Sequence, residues 1–157
     1  MLAWIKTFIL PPRPLGSPLL FETFNHEVAP LRQDLSPVPG TRSEWCLKCR
    51  APEIVSLFEI ENPRIEGCLL TYRAEMRSEG LRSSACLELS CHFPDEAPLI
   101  RLGWHHLLSG DQNWEYYELT QRLRPGQRPD QVLLSLAIEG PGTIWLKNVQ
   151  VIVTPEL

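Results

Sequence analysis

The pattern that most constrains this chain is an alternation of apolar and polar residues in three segments of its second half. These segments are residues 68–76 (CLLTYRAEM), 85–93 (ACLELSCHF) and 131–139 (QVLLSLAIE). A period of two is that of a β-strand with one buried face, because successive side chains point to opposite sides. The residues predicted to face inward are Cys68, Leu70, Tyr72, Ala74, Met76, Leu87, Leu89, Cys91, Phe93, Val132, Leu134, Leu136 and Ile138.

Segments rich in glycine, proline and small polar residues separate these strands. They are residues 77–84 (RSEGLRSS), 94–98 (PDEAP), 109–113 (SGDQN) and 124–130 (RPGQRPD), and their composition predicts turns or loops. After residue 50 no sequence segment keeps a helical period over three turns. Several short strands joined by turns, each with one apolar face, predict an antiparallel β-sandwich.

The closing segment, residues 143–153 (TIWLKNVQVIV), changes parity in its middle. Its apolar positions are Ile144 and Leu146 and then, one residue out of step, Val149, Val151 and Val153. One extra residue in a strand produces such a shift, so the pattern predicts a β-bulge at Lys147–Asn148. The preceding Gly-Pro-Gly, residues 140–142, predicts a tight turn that leads into this strand.

Length and charge limit the function classes. A chain of 157 residues is long enough for one domain with its own core. The formal net charge is -4 and the sequence has no dense basic run, so nucleic-acid binding is not expected. Residues 11–45 carry seven of the 15 prolines and little periodicity. We therefore expect an N-terminal arm with proline-rich loops over residues 1–45, packed on a sandwich domain of residues 46–157.

The first ten residues (MLAWIKTFIL) form an apolar stretch that is too short to cross a bilayer. They also lack the arrangement of a secretory signal, since Lys6 lies inside the stretch and no small-residue cleavage site follows. We expect a cytoplasmic chain without a transmembrane helix. This stretch either packs on its own domain or docks on a protein partner or a membrane surface, and the docking residues would be Trp4, Ile5, Phe8 and Ile9.

Two stretches together resemble a known family. Residues 65–78 (IEGCLLTYRAEMRS) and 113–152, which include the tryptophan-containing strand and the bulged closing strand, are similar to the galactose-binding-like jelly roll of many carbohydrate-binding modules. The similarity spans roughly residues 52–154. It implies a jelly-roll β-sandwich and a non-catalytic module that binds a glycan. The same sandwich also serves in protein-interaction domains and assembly factors, so the alternative is a structural or accessory subunit of a larger assembly.

Metal and cofactor binding are not expected. Members of the family often carry an acidic pair where this chain has Lys147-Asn148, and calcium requires six to eight oxygen ligands. Cys46 and Cys49 form a CxxC pair, but the matching second pair of a zinc site is missing from the sequence. The sequence also has no GxSxG or HExxH motif, so we expect a protein that is not an enzyme.

A glycan site needs an aromatic ring for the apolar face of a sugar and polar groups for its hydroxyls. We expect Trp114 and Trp145 to be core anchors, because large aromatic residues dominate cores. The remaining candidates lie in residues 100–114 (IRLGWHHLLSGDQNW) and on the polar faces of the predicted strands. The predicted ligand-binding residues are Trp104, His105, Arg73, Arg101 and Glu88.

Overall fold

A computed structural model describes residues 15–157, and this part of the chain contains only β-strands and connecting segments. Within it, no helix is long and apolar enough to cross a membrane. The predicted all-β antiparallel fold is confirmed. Its strands are β1 (Leu19–Thr23), β2 (Leu35–Pro37), β3 (Trp45–Cys49), β4 (Glu53–Glu61), β5 (Cys68–His92), β6 (Leu99–Leu102), β7 (Leu108–Leu123), β8 (Gln131–Ile138) and β9 (Gly142–Pro155).

The strands form two layers that share strand β5, which is 25 residues long. In the first layer the order is β2, β3, β9, the first half of β5, and β7, and β1 also pairs with β9. In the second layer the order is β4, β8, the second half of β5, and β6. All pairs are antiparallel, so the chain folds as a jelly-roll sandwich whose sheet curls over through β5.

The core lies between the layers and consists of the residues that the alternation predicts. The inward residues of β5 and β8 are at most 3% exposed, while Phe93 after β5 is partly buried. Contacts between the layers include a hydrogen bond from the Tyr72 hydroxyl to the Ser135 carbonyl oxygen (3.2 Å) and an edge contact of Trp45 with Phe58 (5.3 Å between centroids). The predicted alternation of β5 and β8 is therefore confirmed.

The predicted turn at residues 77–84 is wrong, because β5 continues through it. Here the strand bends from one layer to the other. Gly80 and Ser83 have positive φ angles of 60° and 71°, and the pairing of β5 with β7 shifts register three times between Met76 and Ser84. The predicted loop at residues 109–113 lies within β7 for the same reason, since it pairs with this bend. Glycine and small polar residues mark an irregular strand here rather than its end.

The predicted bulge in β9 is confirmed. Arg73 of β5 pairs with Gln150, whereas Glu75 pairs with Lys147, so β9 contains one extra residue. Asn148 takes a positive φ of 52°, and Leu146 and Val149 on either side are both fully buried. The bulge therefore keeps the apolar residues of both halves of β9 in the core and directs Trp145, Lys147 and Gln150 outward.

Residues 15–45, within the segment for which we expected an arm packed on the sandwich, contribute β1 and β2 to the first layer. They also place Phe24 and Leu35 in the core beside Trp45. The turn before β9 is tightly packed, since a Cβ atom at Gly140 would lie 2.2 Å from the main-chain oxygen of Arg82. Only glycine fits there.

Candidate functional site

The outer face of the first layer carries large aromatic side chains among polar ones. Its residues alternate along β5, β7 and β9 with residues of the core, so they point away from the second layer. We call this surface the aromatic face. Its residues are Arg73, Glu75 and Arg77 of β5, Trp114, Tyr116 and Glu118 of β7, and Trp145, Lys147, Asn148 and Gln150 of β9.

Two cations are packed against the tryptophans of this face. The guanidinium carbon of Arg77 lies 3.6 Å from the ring centroid of Trp145 and 5.7 Å from that of Trp114. The Lys147 ammonium lies 4.2 Å from the Trp114 centroid. Cation–π contacts contribute about 0.5–1 kcal/mol each at exposed sites. These contacts hold the two indole rings in place, and both tryptophan side chains stay half-buried at the surface.

The polar side chains beside these rings are also fixed. Arg73 donates from Nε to Gln150 Oε1 (2.8 Å) and from Nη1 to the Tyr116 hydroxyl (3.3 Å). That hydroxyl donates to Glu118 Oε2 (2.7 Å). Burial and the hydrogen bond to the Glu118 carboxylate raise the pKa of Tyr116, so the phenol stays protonated and keeps donating. The chain of bonds sets donors and acceptors at fixed positions next to aromatic surface.

A second polar cluster lies at the bulge. The Asn148 side-chain amide donates to Glu75 Oε2, and the Ser43 hydroxyl donates to Asn148 Oδ1 (3.3 Å). The extra residue in β9 thus brings an amide and a carboxylate together between Lys147 and Gln150. The bulge shapes the polar part of the face as well as the core beneath it.

The expectation that Trp114 and Trp145 are core anchors is wrong. Both lie half-buried on the aromatic face. For Trp145 the alternation within β9 already indicated an outward position, because its neighbours Ile144 and Leu146 are the inward residues. For Trp114 the signal is weaker, since the inward residues Tyr117 and Leu119 come later in β7. Aromatic bulk alone did not distinguish core from surface.

The residues predicted to bind a ligand are not all brought together. Arg73 lies in the aromatic face. Trp104 is 72% exposed in the loop between β6 and β7, and His105 Nε2 lies 3.1 Å from the Glu118 carbonyl oxygen, which holds this loop at the edge of β7. Arg101 lies on β6 and Glu88 on the second half of β5, both in the other layer. Trp4, Ile5, Phe8 and Ile9 lie outside the described residues.

Glu88 is an unusual acid, since it is only 7% exposed although it points away from the core. It alternates with Leu87 and Leu89, and its partners across the sheet are Ser135 and Leu102. Its Oε2 atom is buried and accepts no hydrogen bond from the described residues. Desolvation raises the pKa of this carboxyl.

We expect Glu88→Gln to stabilise the protein by about 1 kcal/mol at pH 8 and to have almost no effect at pH 4. The folded protein binds the Glu88 proton more tightly than the unfolded chain, so stability falls as the pH rises from the unfolded pKa through the folded one. Below the folded and the unfolded pKa the carboxyl is protonated in both states, so the cost of burying the carboxylate charge disappears. Urea unfolding of both proteins at the two pH values measures the difference, and an equal effect at both would contradict the assignment.

The cysteine pair lies on β3, where Cys46 and Cys49 point to opposite faces of the strand. Both thiols are free. Burial raises the pKa of each, to about 11 for Cys49, while the nearby positive charges of Lys48 and Arg77 partly oppose the shift at Cys46. Among residues 15–157, no group of three or more His, Cys, Asp or Glu side chains is placed to hold a metal ion.

A cleft of about 640 Å³ adjoins the aromatic face. Cys46 lines it and is also the pairing partner of Trp145, so the floor of the cleft continues the outer face of the first layer across β3 to β2. The connection between β3 and β4 contributes to its lining. The lining residues are Arg32, Asp34, Ser36, Cys46, Lys48, Arg50, Ala51 and Glu53.

No protein-family model matches this chain, and no curated protein matches it by sequence. Solved structures do match. The CBM22-1 xylan-binding domain of Paenibacillus barcinonensis Xyn10C is similar with a TM-score of 0.55 at 10% identity, over 94% of this chain and 99% of that domain. A family 30 carbohydrate-binding module matches with a TM-score of 0.51 at 9% identity, over 90% of this chain and 98% of the module. The chain has the jelly-roll fold of carbohydrate-binding modules.

This jelly roll also matches a longer protein. The structure of Clostridium thermocellum endo-1,4-beta-D-xylanase 10B, with its CBM22-1 and GH10 modules and bound xylohexaose, has a TM-score of 0.56 at 13% identity. The match covers 85% of this chain and 28% of that one, so the present chain spans about a quarter of the xylanase structure. The resemblance inferred from the sequence is thereby confirmed for the jelly-roll fold.

Proposed function

We propose that this protein is a non-catalytic module that binds a glycan on the aromatic face. The observation that carries the proposal is the placement of Trp114, Trp145 and Tyr116 at the surface of one layer, beside hydrogen-bonding side chains that are already fixed. The fold shared with carbohydrate-binding modules supports the same function.

The two kinds of side chain on this face match the two kinds of surface on a sugar. The C–H groups of a pyranose form an apolar face that stacks on an aromatic ring, and this role falls to the parts of Trp145 and Trp114 that stay exposed beside Arg77 and Lys147. The hydroxyls need paired donors and acceptors, which Arg73, Gln150 and Glu118 supply. Because these groups are held by one another before ligand arrives, little side-chain entropy is lost on binding.

The loop that carries Trp104 and His105 extends the site along the edge of β7. His105 fixes this loop to the main chain of Glu118, whose carboxylate belongs to the aromatic face. In this proposal Trp104 contacts only the outer part of a ligand. The accessory-subunit alternative depends on residues 1–14, outside the described part, and the comparisons do not favour it over glycan binding.

The proposal is tested by a glycan array, followed by affinity electrophoresis in gels that contain the retained polysaccharides. We expect retention of at least one glycan and a change in tryptophan fluorescence on binding, because Trp114 and Trp145 lie on the ligand face. Near-ultraviolet circular dichroism establishes that the tested protein is folded. A folded protein that no glycan retains would rule out the proposed function.

A further inference from the structure

The cleft beside the aromatic face contains two cations without a partner among the described residues. Arg32 donates to the carboxylates of both Asp34 and Glu53, and these three groups together carry a net charge of -1. Lys48 and Arg50 also line the cleft, but neither forms an ion pair or side-chain hydrogen bond within residues 15–157. Both acids of the cleft are engaged by Arg32, so the donors of Lys48 and Arg50 stay available, and the charged side chains that line the cleft (three cations and two carboxylates) sum to +1.

The cleft and the aromatic face form one continuous surface. Trp145 pairs with Cys46, and Cys46 lies in the same strand as Lys48, two residues away and on the same side. Two residues along a strand span about 7 Å. A ligand that stacks on Trp145 therefore extends over Cys46 to Lys48 within the length of one or two sugar rings.

We propose, on the basis of the glycan-binding function above, that the ligand is an acidic glycan whose anionic substituent lies in the cleft between Lys48 and Arg50. A carboxylate or a sulfate ester accepts charge-assisted hydrogen bonds from both side chains. A neutral hydroxyl at the same place would leave the net positive charge of the cleft uncompensated. Stacking on the aromatic face thus supplies the contact common to many glycans, and the cleft selects those with a negative group.

Matched pairs of polysaccharides test this inference. Affinity electrophoresis is run with glucuronoxylan and polygalacturonate against their carboxyl-reduced forms, and with heparin against its desulfated form. We expect at least one acidic polysaccharide to bind at least about tenfold more tightly than its neutralised form, the factor that about 1.4 kcal/mol from charge-assisted bonds gives. The carboxylate and sulfate pairs show which group the cleft prefers.

The double variant Lys48→Gln/Arg50→Gln assigns the preference to the cleft. It should lose at least about tenfold in affinity for the acidic form and keep the affinity for the neutralised form. The control Arg82→Gln/Arg124→Gln removes two exposed charges elsewhere and should bind like the parent protein. Raising the salt concentration should weaken acidic binding by the parent and not by the cleft variant.

The outcomes separate this inference from the proposed function. If no acidic polysaccharide binds at least about tenfold more tightly than its neutralised form, or if the control lowers acidic binding as much as the cleft variant does, the acidic specificity is overturned and glycan binding remains. If folded protein is retained by no polysaccharide, acidic or neutral, both proposals are overturned. Selective loss of acidic binding in the cleft variant supports both.

Discussion

Replacing Trp114 and Trp145 together with alanine should weaken glycan binding by about a thousandfold and leave the protein folded. Buried tryptophans at binding surfaces contribute about 2 kcal/mol or more each, and two such losses correspond to this factor. The fold should survive because both side chains lie on the outer face of the first layer, with the core on the other side of the strand. The stability lost is that of the contacts with Arg77 and Lys147, about 0.5–1 kcal/mol each.

Titration calorimetry with the glycan identified on the array measures this loss. Trp104→Ala is the matched comparison, since it removes the most exposed tryptophan of the described chain from the loop at the edge of β7. Its effect should be no more than about threefold, because a contact at the rim is worth little compared with one at the centre. Unchanged binding by the double variant would show that the ligand does not use the aromatic face.

Trp45→Ala should lower the free energy of unfolding by about 3–5 kcal/mol, the usual result of removing a buried tryptophan. Trp45 lies in the core at the junction of β1, β3 and β4, where its ring contacts Phe58 at 5.3 Å and His26 at 5.0 Å between centroids. Its indole N–H donates to the Phe24 carbonyl oxygen (3.2 Å), which would lose this partner as well. Urea unfolding gives the difference from the midpoint and slope.

Trp145→Ala is the internal control for this measurement. Trp145 pairs with Cys46, the residue that follows Trp45, so the two tryptophans lie on adjacent strands and point to opposite faces. We expect the Trp45 variant to lose stability and the Trp145 variant to lose binding. A loss below about 1 kcal/mol for Trp45→Ala would contradict the described packing.

The core could be predicted from the sequence because the alternation of apolar and polar residues within each strand shows which of its faces is buried. The alternation in residues 68–76 and 131–139 and the parity change at Lys147–Asn148 required no knowledge of other strands. The resemblance of the last forty residues to the galactose-binding-like family then extended the prediction from single strands to the jelly-roll fold. Local pattern and fold agreed wherever a strand was regular.

The site could not be predicted to the same degree, because it depends on which strands become neighbours. Arg77, Trp114 and Trp145 are far apart in sequence and meet only through the pairing of β5 with both β7 and β9. Glu88 has the parity of an exposed residue, yet it is only 7% exposed between its partner strands β6 and β8. The bend in β5 carries turn residues and is nevertheless a strand, since its partner β7 bends with it.

Because both layers share β5, we expect the domain to unfold as one cooperative unit. One covalent strand supplies a central position in each sheet, and the inward residues of both its halves belong to one core, so opening either layer exposes apolar side chains of the other. Amide protons on the two layers should therefore exchange with solvent in a single global opening event, and damage to the layer remote from the ligand will loosen the surface that recognises it.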